Sequence, residues 1–188
     1  LQQLDCVGKG LVEKAAGAVQ QSKIIVTEIL GTKKLFDFVH ENPLVEGRPI
    51  LTTINARVVG QIEKFISILG AIEVDLTGQV NAETVGGKQI SAIGGSFDFL
   101  QGALFSRQGK SVIALTSTTP DGKISRIIPQ LPLGSAVTHP RHSVQYMVTE
   151  FGVADLRGKT LRERGESLAA IAHPDFREGL EKFVRENF

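Results

Sequence analysis

Phe97-Asp-Phe-Leu-Gln-Gly-Ala-Leu-Phe105, followed after a short polar link by Ser111-Val-Ile-Ala-Leu115, is the stretch that decides the fold. The first run reads as a helix, and the second, short, apolar and bounded by polar residues, reads as a fully buried strand. Phe65 to Asp75 upstream reads as extended. Outward from this unit the alternation continues in both directions. Leu11, Val12, Ala15, Ala16 and Val19 fall on one helical face, and Lys23 to Leu30 is a β-branched apolar run suited to a buried strand. Thr32 is placed to cap a helix carrying Leu35, Phe36 and Val39, which stops near Asn42-Pro43 because the residue before proline disfavours α geometry. Ile50 to Ile54 reads as a short strand and Arg57 to Lys64 as a helical turn or two.

Downstream, Pro120-Asp121-Gly122 marks a turn within Thr116 to Gly122, and Ser125 to Leu131 and Val144 to Phe151 read as strands. The last alternates Val144, Tyr146 and Val148 against Gln145, Met147 and Thr149, which suits a sheet with one face on the core. Thr160 with Glu163 forms a capping box opening a helix that carries Leu161, Leu168 and Ile171. A second helix follows Pro174 and carries Phe176, Leu180, Phe183 and Val184. Strands interleaved with helices predict one α/β layered domain over residues 1–188, its sheet mixed or mostly parallel and flanked by helices.

Composition bounds the partners. At 41% hydrophobic, 188 residues can build a sizeable core. The 21 basic and 20 acidic side chains leave a net charge of +1, so no single-sign field attracts nucleic acid or anionic lipid. Cys6 has no internal disulfide partner, no Asn-x-Ser/Thr acceptor occurs, and no apolar stretch is long enough to span a bilayer. These features predict a cytoplasmic protein with neither nucleic acid nor membrane as partner. The start at Leu1, already leading into a helix, reads as the C-terminal part of something longer.

The chemistry concentrates in two segments. Gly94 and Gly95 open the Phe97 helix, and a glycine pair there brings bare N–H groups up to an anionic oxygen at an electropositive helix end. A tight turn that simply admits the helix is the plain alternative, and Asp98 has a first-turn electrostatic role of its own. Asn81 ends Glu73-Val-Asp-Leu-Thr-Gly-Gln-Val-Asn81, its amide able to donate to a carbonyl or to close an Asx turn. Glu73 and Asp75 share one strand face, expected to be solvated or functional.

Other motifs carry less. Gly152 to Thr160 imitates a phosphate-binding loop but puts five residues between its glycines where four are needed, and Asp155 among the phosphates. Gly109-Lys-Ser111 precedes a strand, and Gly8-Lys-Gly10 follows none. His139-Pro-Arg-His142 lacks a third ligand nearby, so no metal is expected and a loop rim with partly exposed histidines is the reading. Glu150 suits an acid, a base or a solvated strand end.

Four runs in order resemble one family: Glu73-Val-Asp-Leu-Thr-Gly-Gln-Val-Asn-Ala-Glu83, Gly94-Gly-Ser-Phe-Asp-Phe99, Pro140-Arg-His-Ser-Val-Gln-Tyr-Met-Val-Thr-Glu-Phe-Gly-Val-Ala-Asp-Leu-Arg-Gly158 and Ile171-Ala-His-Pro-Asp-Phe-Arg177. Together they are similar to the C-terminal domain of the acetyl-CoA hydrolase/transferase family. Gly94-Gly-Ser-Phe-Asp-Phe99, with phenylalanine where the succinate:acetate enzymes tend to have glycine, resembles the 4-hydroxybutyrate CoA-transferase type.

The resemblance implies an α/β domain of the CoA-transferase type paired with a similar N-terminal domain. An acyl-CoA thioester would bind between them as substrate, with a small carboxylate as acceptor and no permanently bound cofactor. In such enzymes a glutamate attacks the thioester and a glutamyl-CoA intermediate follows. Asn81 matches the asparagine whose amide contacts the reacting carbonyl, and Gly95 the glycine whose N–H helps form the oxyanion hole. Gly94, Gly95 and Ser96 line the CoA loop. The nucleophile is missing: Leu1 to Cys6 holds no glutamate where the family has one, and Glu13, Glu28, Glu73, Glu83 and Glu150 do not match it. The glutamate is expected upstream, so the 188 residues alone are expected to be inactive. An acetyl-CoA hydrolase and a non-catalytic acyl-CoA-binding domain are the alternatives, and a homo-oligomer is compatible with either.

Overall fold

The structure is a computed structural model that describes residues 23–188, so the expectations for Cys6, Gly8 to Gly10 and the helical face from Leu11 lie outside the described residues. In chain order the elements are β1 (Ile24–Val26), α1 (Lys33–Val39), β2 (Val45–Gly47), α2 (Ile50–Thr53), α3 (Ala56–Val59), β3 (Ile66–Gly70), β4 (Glu73–Asp75), β5 (Val80–Asn81), β6 (Thr84–Val85) and β7 (Lys88–Gln89). There follow α4 (Ser96–Phe105), β8 (Lys110–Ala114), β9 (Ile127–Ile128), a 3₁₀ turn at Arg141–Ser143, β10 (Tyr146–Thr149), β11 (Gly152–Asp155), α5 (Leu161–Ala170) and α6 (Pro174–Asn187).

The central unit is the expected one. β3, α4 and β8 form a strand–helix–strand crossover with β3 and β8 parallel in the register Ile66↔Lys110 to Gly70↔Ala114. β10 adds parallel to β8, and β11 returns antiparallel, giving a mixed sheet in the order β11-β10-β8-β3. A smaller sheet, β5-β4-β9, stands beside it.

One core joins both sheets to the helices. Leu100 of α4, Ile113 of β8, Met147 of β10, Leu168 of α5 and Val184 of α6 pack in it with Val74 and Val80 of the small sheet, all essentially without solvent contact. Fully burying an aliphatic side chain of this size contributes about 1.5–3 kcal/mol, so this cluster is the main source of cohesion. β8 is buried on one face only: Ser111 and Ile113 point inward while Val112 and Ala114 are half-exposed, because helices cover just that side. Likewise Met147 and Thr149, not Tyr146 and Val148, form the buried face of β10.

Two structural devices are legible down to their atoms. The capping box is complete, Glu163 N–H donating to Thr160 Oγ1 at 3.3 Å and Thr160 N–H to Glu163 Oε2 at 2.8 Å. Arg164, in the next position, is buried and donates to Thr77 O (2.7 Å), Leu156 O (2.8 Å) and Arg141 O (2.8 Å), so α5 clamps three separate segments. Burial pushes this guanidinium's pKa down, yet the three carbonyls take up its donors.

Ile50 to Ile54 is not a strand. The Pro49 carbonyl accepts from Thr52 and Thr53 N–H at 2.9 and 3.2 Å, and the segment turns into α2. A short apolar run has no period to separate the two states, and the proline before it sets the chain for a helix start. The strand expected over Ser125 to Leu131 shrinks to Ile127–Ile128.

Candidate active site

α4 opens on Gly94 and Gly95. Gly94 sits in the left-handed region at φ +55° and is exposed, a conformation that side-chain-bearing residues rarely adopt. Gly95 caps the helix, and a Cβ there would fall 2.5 Å from both Cδ1 and Cγ2 of Ile54. The loop is held from within by Ser96, whose N–H and hydroxyl both donate to Ile93 O, at 3.3 and 2.6 Å. The Ser96 hydroxyl proton is therefore engaged, which leaves its oxygen lone pairs for any ligand.

The N–H groups of Gly94, Gly95, Phe97 and Asp98 have no acceptor among the described residues. Such a set of unpaired donors at the positive end of a ten-residue helix is suited to an oxyanion.

Asn81 ends β5 inside the fold. It is fully buried, and its Nδ2 donates to Glu73 Oε1 and Thr84 O, both at 2.8 Å. Its Oδ1 accepts from Glu83 N–H (3.1 Å), Thr84 N–H (2.9 Å) and Thr84 Oγ1 (3.0 Å). Both amide protons are in use within the chain, and Asn81 organises the β5–β6 turn, the Asx-turn alternative open from the sequence. On the acidic face beside it Glu73 is half-buried and Asp75 is internal. Asp75, 2% exposed, accepts from Thr77 N–H (2.9 Å) and Oγ1 (2.6 Å) and from Gln79 N–H (3.0 Å) and Nε2 (2.8 Å). The carboxylate closes the β4–β5 turn, which overturns the solvated-or-functional reading for it.

A second carboxamide follows the residue that packs on Gly95. Asn55 follows Ile54, the residue packed on Gly95, and caps α3 by accepting from Arg57 N–H at 3.0 Å. Its Nδ2 reaches only Leu51 O, at 3.4 Å. This half-buried amide retains donor capacity, unlike that of Asn81. The strand reading of Ile50 to Ile54 hid it; an asparagine two residues ahead of Arg57 at the head of a helical stretch was the available signal.

His139 is not on a rim: it is fully buried, with its ring parallel to Phe97 at a centroid distance of 6.4 Å, because its backbone bridges Val80 and extends the small sheet inward. His142 alone of that pair is exposed. Glu150 accepts from Ser117 Oγ (2.6 Å) and N–H (2.9 Å), and the Ser117 hydroxyl holds its pKa below the usual carboxylate value. Among the described residues no three His, Cys, Asp or Glu side chains gather to hold a metal, and no helix is long and apolar enough to cross a membrane.

Comparison with known proteins shows the family and the fold. The profile of the acetyl-CoA hydrolase/transferase C-terminal domain matches residues 31–184. A 4-hydroxybutyrate coenzyme A transferase of Clostridium kluyveri is 45% identical over 185 residues, which cover 98% of this chain and 43% of that protein. Among solved structures, RipA from Yersinia pestis superposes with a TM-score of 0.88 at 33% identity, over 97% of this chain and 41% of that one. A 4-hydroxybutyrate CoA-transferase from Porphyromonas gingivalis gives 0.82 at 39% identity, over 99% and 43%. The chain thus spans less than half the length of these relatives. From the matched profile and the shared α/β architecture, the chain belongs to the acetyl-CoA hydrolase/transferase family, as its C-terminal domain.

Proposed function

We propose that this domain is the C-terminal half of a CoA-transferase that moves CoA from an acyl-CoA thioester to a small carboxylic acid. The observation that carries the reading is the unpaired N–H groups of Gly94 and Gly95 where α4 opens. In the reaction a carboxylate, from a glutamate in the upstream part of the protein, attacks the thioester carbonyl. The C=O electron pair moves onto oxygen, and the tetrahedral oxyanion needs donors where its charge develops. Gly95 N–H supplies one; Asn55 Nδ2, on the residue after the Ile54 that packs on Gly95, is assigned the second place in preference to Asn81. One such donor lowers the barrier by about 3 kcal/mol.

Collapse of that species expels CoA thiolate and leaves an acyl-glutamyl anhydride. The thiolate then attacks the glutamyl carbonyl, releasing the first acid and leaving glutamyl-CoA. The incoming carboxylate resolves this thioester by the same two steps in reverse. Each tetrahedral species passes the same donors. The exposed Gly94 and the Ser96 lone pairs face the thioester side of this loop in the same reading, and an N-terminal domain closes the other side. A cytoplasmic setting goes with it, since the chain's single cysteine calls for no oxidising compartment.

Incubation of the full-length protein with acyl-CoA followed by borohydride tests the reading. Reduction of one glutamate to its alcohol, dependent on acyl-CoA and accompanied by loss of transfer, is the expected result. Transfer with no glutamate modified sinks the covalent route. Hydrolysis without transfer to any carboxylate makes the protein an acyl-CoA hydrolase, and tight binding without either makes it a binding domain.

A further inference from the structure

His139 is fully buried, and neither Nδ1 nor Nε2 has a hydrogen-bond partner among the described residues. Its backbone is fixed by paired hydrogen bonds with Val80, N–H to O at 3.2 Å one way and 3.1 Å the other. Its ring lies within 7° of parallel to Phe97, the second residue of α4 and two positions after Gly95. A phenylalanine or leucine would fill this space without leaving a donor and an acceptor unpaired, so the imidazole demands a polar partner that the described residues do not supply.

Protonation does not remove the difficulty. Burial disfavours the imidazolium, and Glu83, the charged group whose field reaches the ring, opposes this only in part. Glu83 is itself held by Thr138 Oγ1 at 2.9 Å. The positive end of α4 acts in the same sense as burial. These effects favour the neutral ring, which carries one N–H donor and one acceptor nitrogen.

We propose that His139 is a positioning residue that holds one ordered water against the first turn of α4. The unpaired N–H groups of Phe97 and Asp98 give that water further partners. The ring, the water and Phe97 together fix the direction of the Gly95 N–H; His139 does not touch substrate. The inference rests on the reading of Gly95 as an oxyanion donor.

The test uses the full-length protein and the variants His139→Phe, His139→Gln and Gly95→Ala, with long-range ¹H–¹⁵N correlation of the histidine rings in the unsubstituted protein. His139→Phe is expected to lower kcat about tenfold to a hundredfold with KM and melting temperature kept, and His139→Gln to recover part of the loss. The wild-type ring is expected to titrate below pH 6.5, the ordinary histidine value, with its N–H protected from exchange. An unchanged kcat in a folded His139→Phe protein, or a ring titrating at the ordinary value, overturns the proposal. If His139→Phe does not fold, the wild-type ring spectrum decides. A Gly95→Ala protein with unchanged kcat beside the expected ring spectrum would remove the oxyanion reading and leave the water site standing.

Discussion

The turn that follows β5 and the loop that opens α4 stand thirteen residues apart and treat their polar groups in opposite ways. Around Asn81 both amide protons are bound and the carboxamide oxygen takes three further bonds, all within the described chain. Around Gly95 the donors are unpaired and the surface is open. A satisfied, buried network fixes a conformation and has nothing left for a ligand; an unsatisfied set of donors does the reverse. The difference teaches that a polar residue next to a site is a scaffold when its bonding capacity is closed and a reagent when it is not.

The comparison breaks first at Gly95. Gly95→Val forces a side chain into Ile54 and disturbs the donor. It should lower kcat of the full-length protein about 10²–10³-fold while the protein still melts cooperatively, as steady-state kinetics and calorimetry would show. Asn81→Ala should behave oppositely. It leaves Thr84 and Glu83 N–H and the Glu73 carboxylate without their partner, and should cost about 3 kcal/mol in urea unfolding with kcat per folded molecule nearly kept. A large fall in that kcat would return Asn81 to the chemistry.

Arg164→Met tests the same rigid region from the other side. Loss of three carbonyl partners should lower stability by about 2–3 kcal/mol in the same assay, with no change in KM. Asn55→Ala sharpens the contrast between the two carboxamides. It removes a helix cap worth about 1 kcal/mol and, on the present reading, also lowers kcat by at least tenfold, whereas a pure cap would move stability alone.

The smallest effect is a pH slope. Burial depresses the folded-state pKa of His139 below the unfolded value near 6.5, so the unfolded chain takes up the proton first. The stability due to its neutral form is complete above pH 6.5 and declines as pH falls from there toward the folded value. Urea unfolding as a function of pH should show this decline in the wild type and not in His139→Phe.

Much of the architecture was written in the chain. The capping box at Thr160 and Glu163, the proline start of α6, and the strand–helix–strand order around α4 depend on neighbours within a few residues, and each formed as read. The glycine loop was legible for the same reason: backbone exposure and a helix end are local properties. Local pattern failed at Ile50 to Ile54, where five apolar or β-branched residues carry no period that separates helix from strand. The site depended on what folding brought together. Whether Asn81 or Asn55 keeps a free amide, whether Asp75 meets water or its own turn, and whether His139 lies outside or under Phe97 are set by residues far away in sequence. A hydrogen bond has one donor and a limited number of lone pairs, so the first partner to arrive decides what remains for chemistry. Local residue order set which groups exist and where helices begin; long-range packing set which of those groups are already taken.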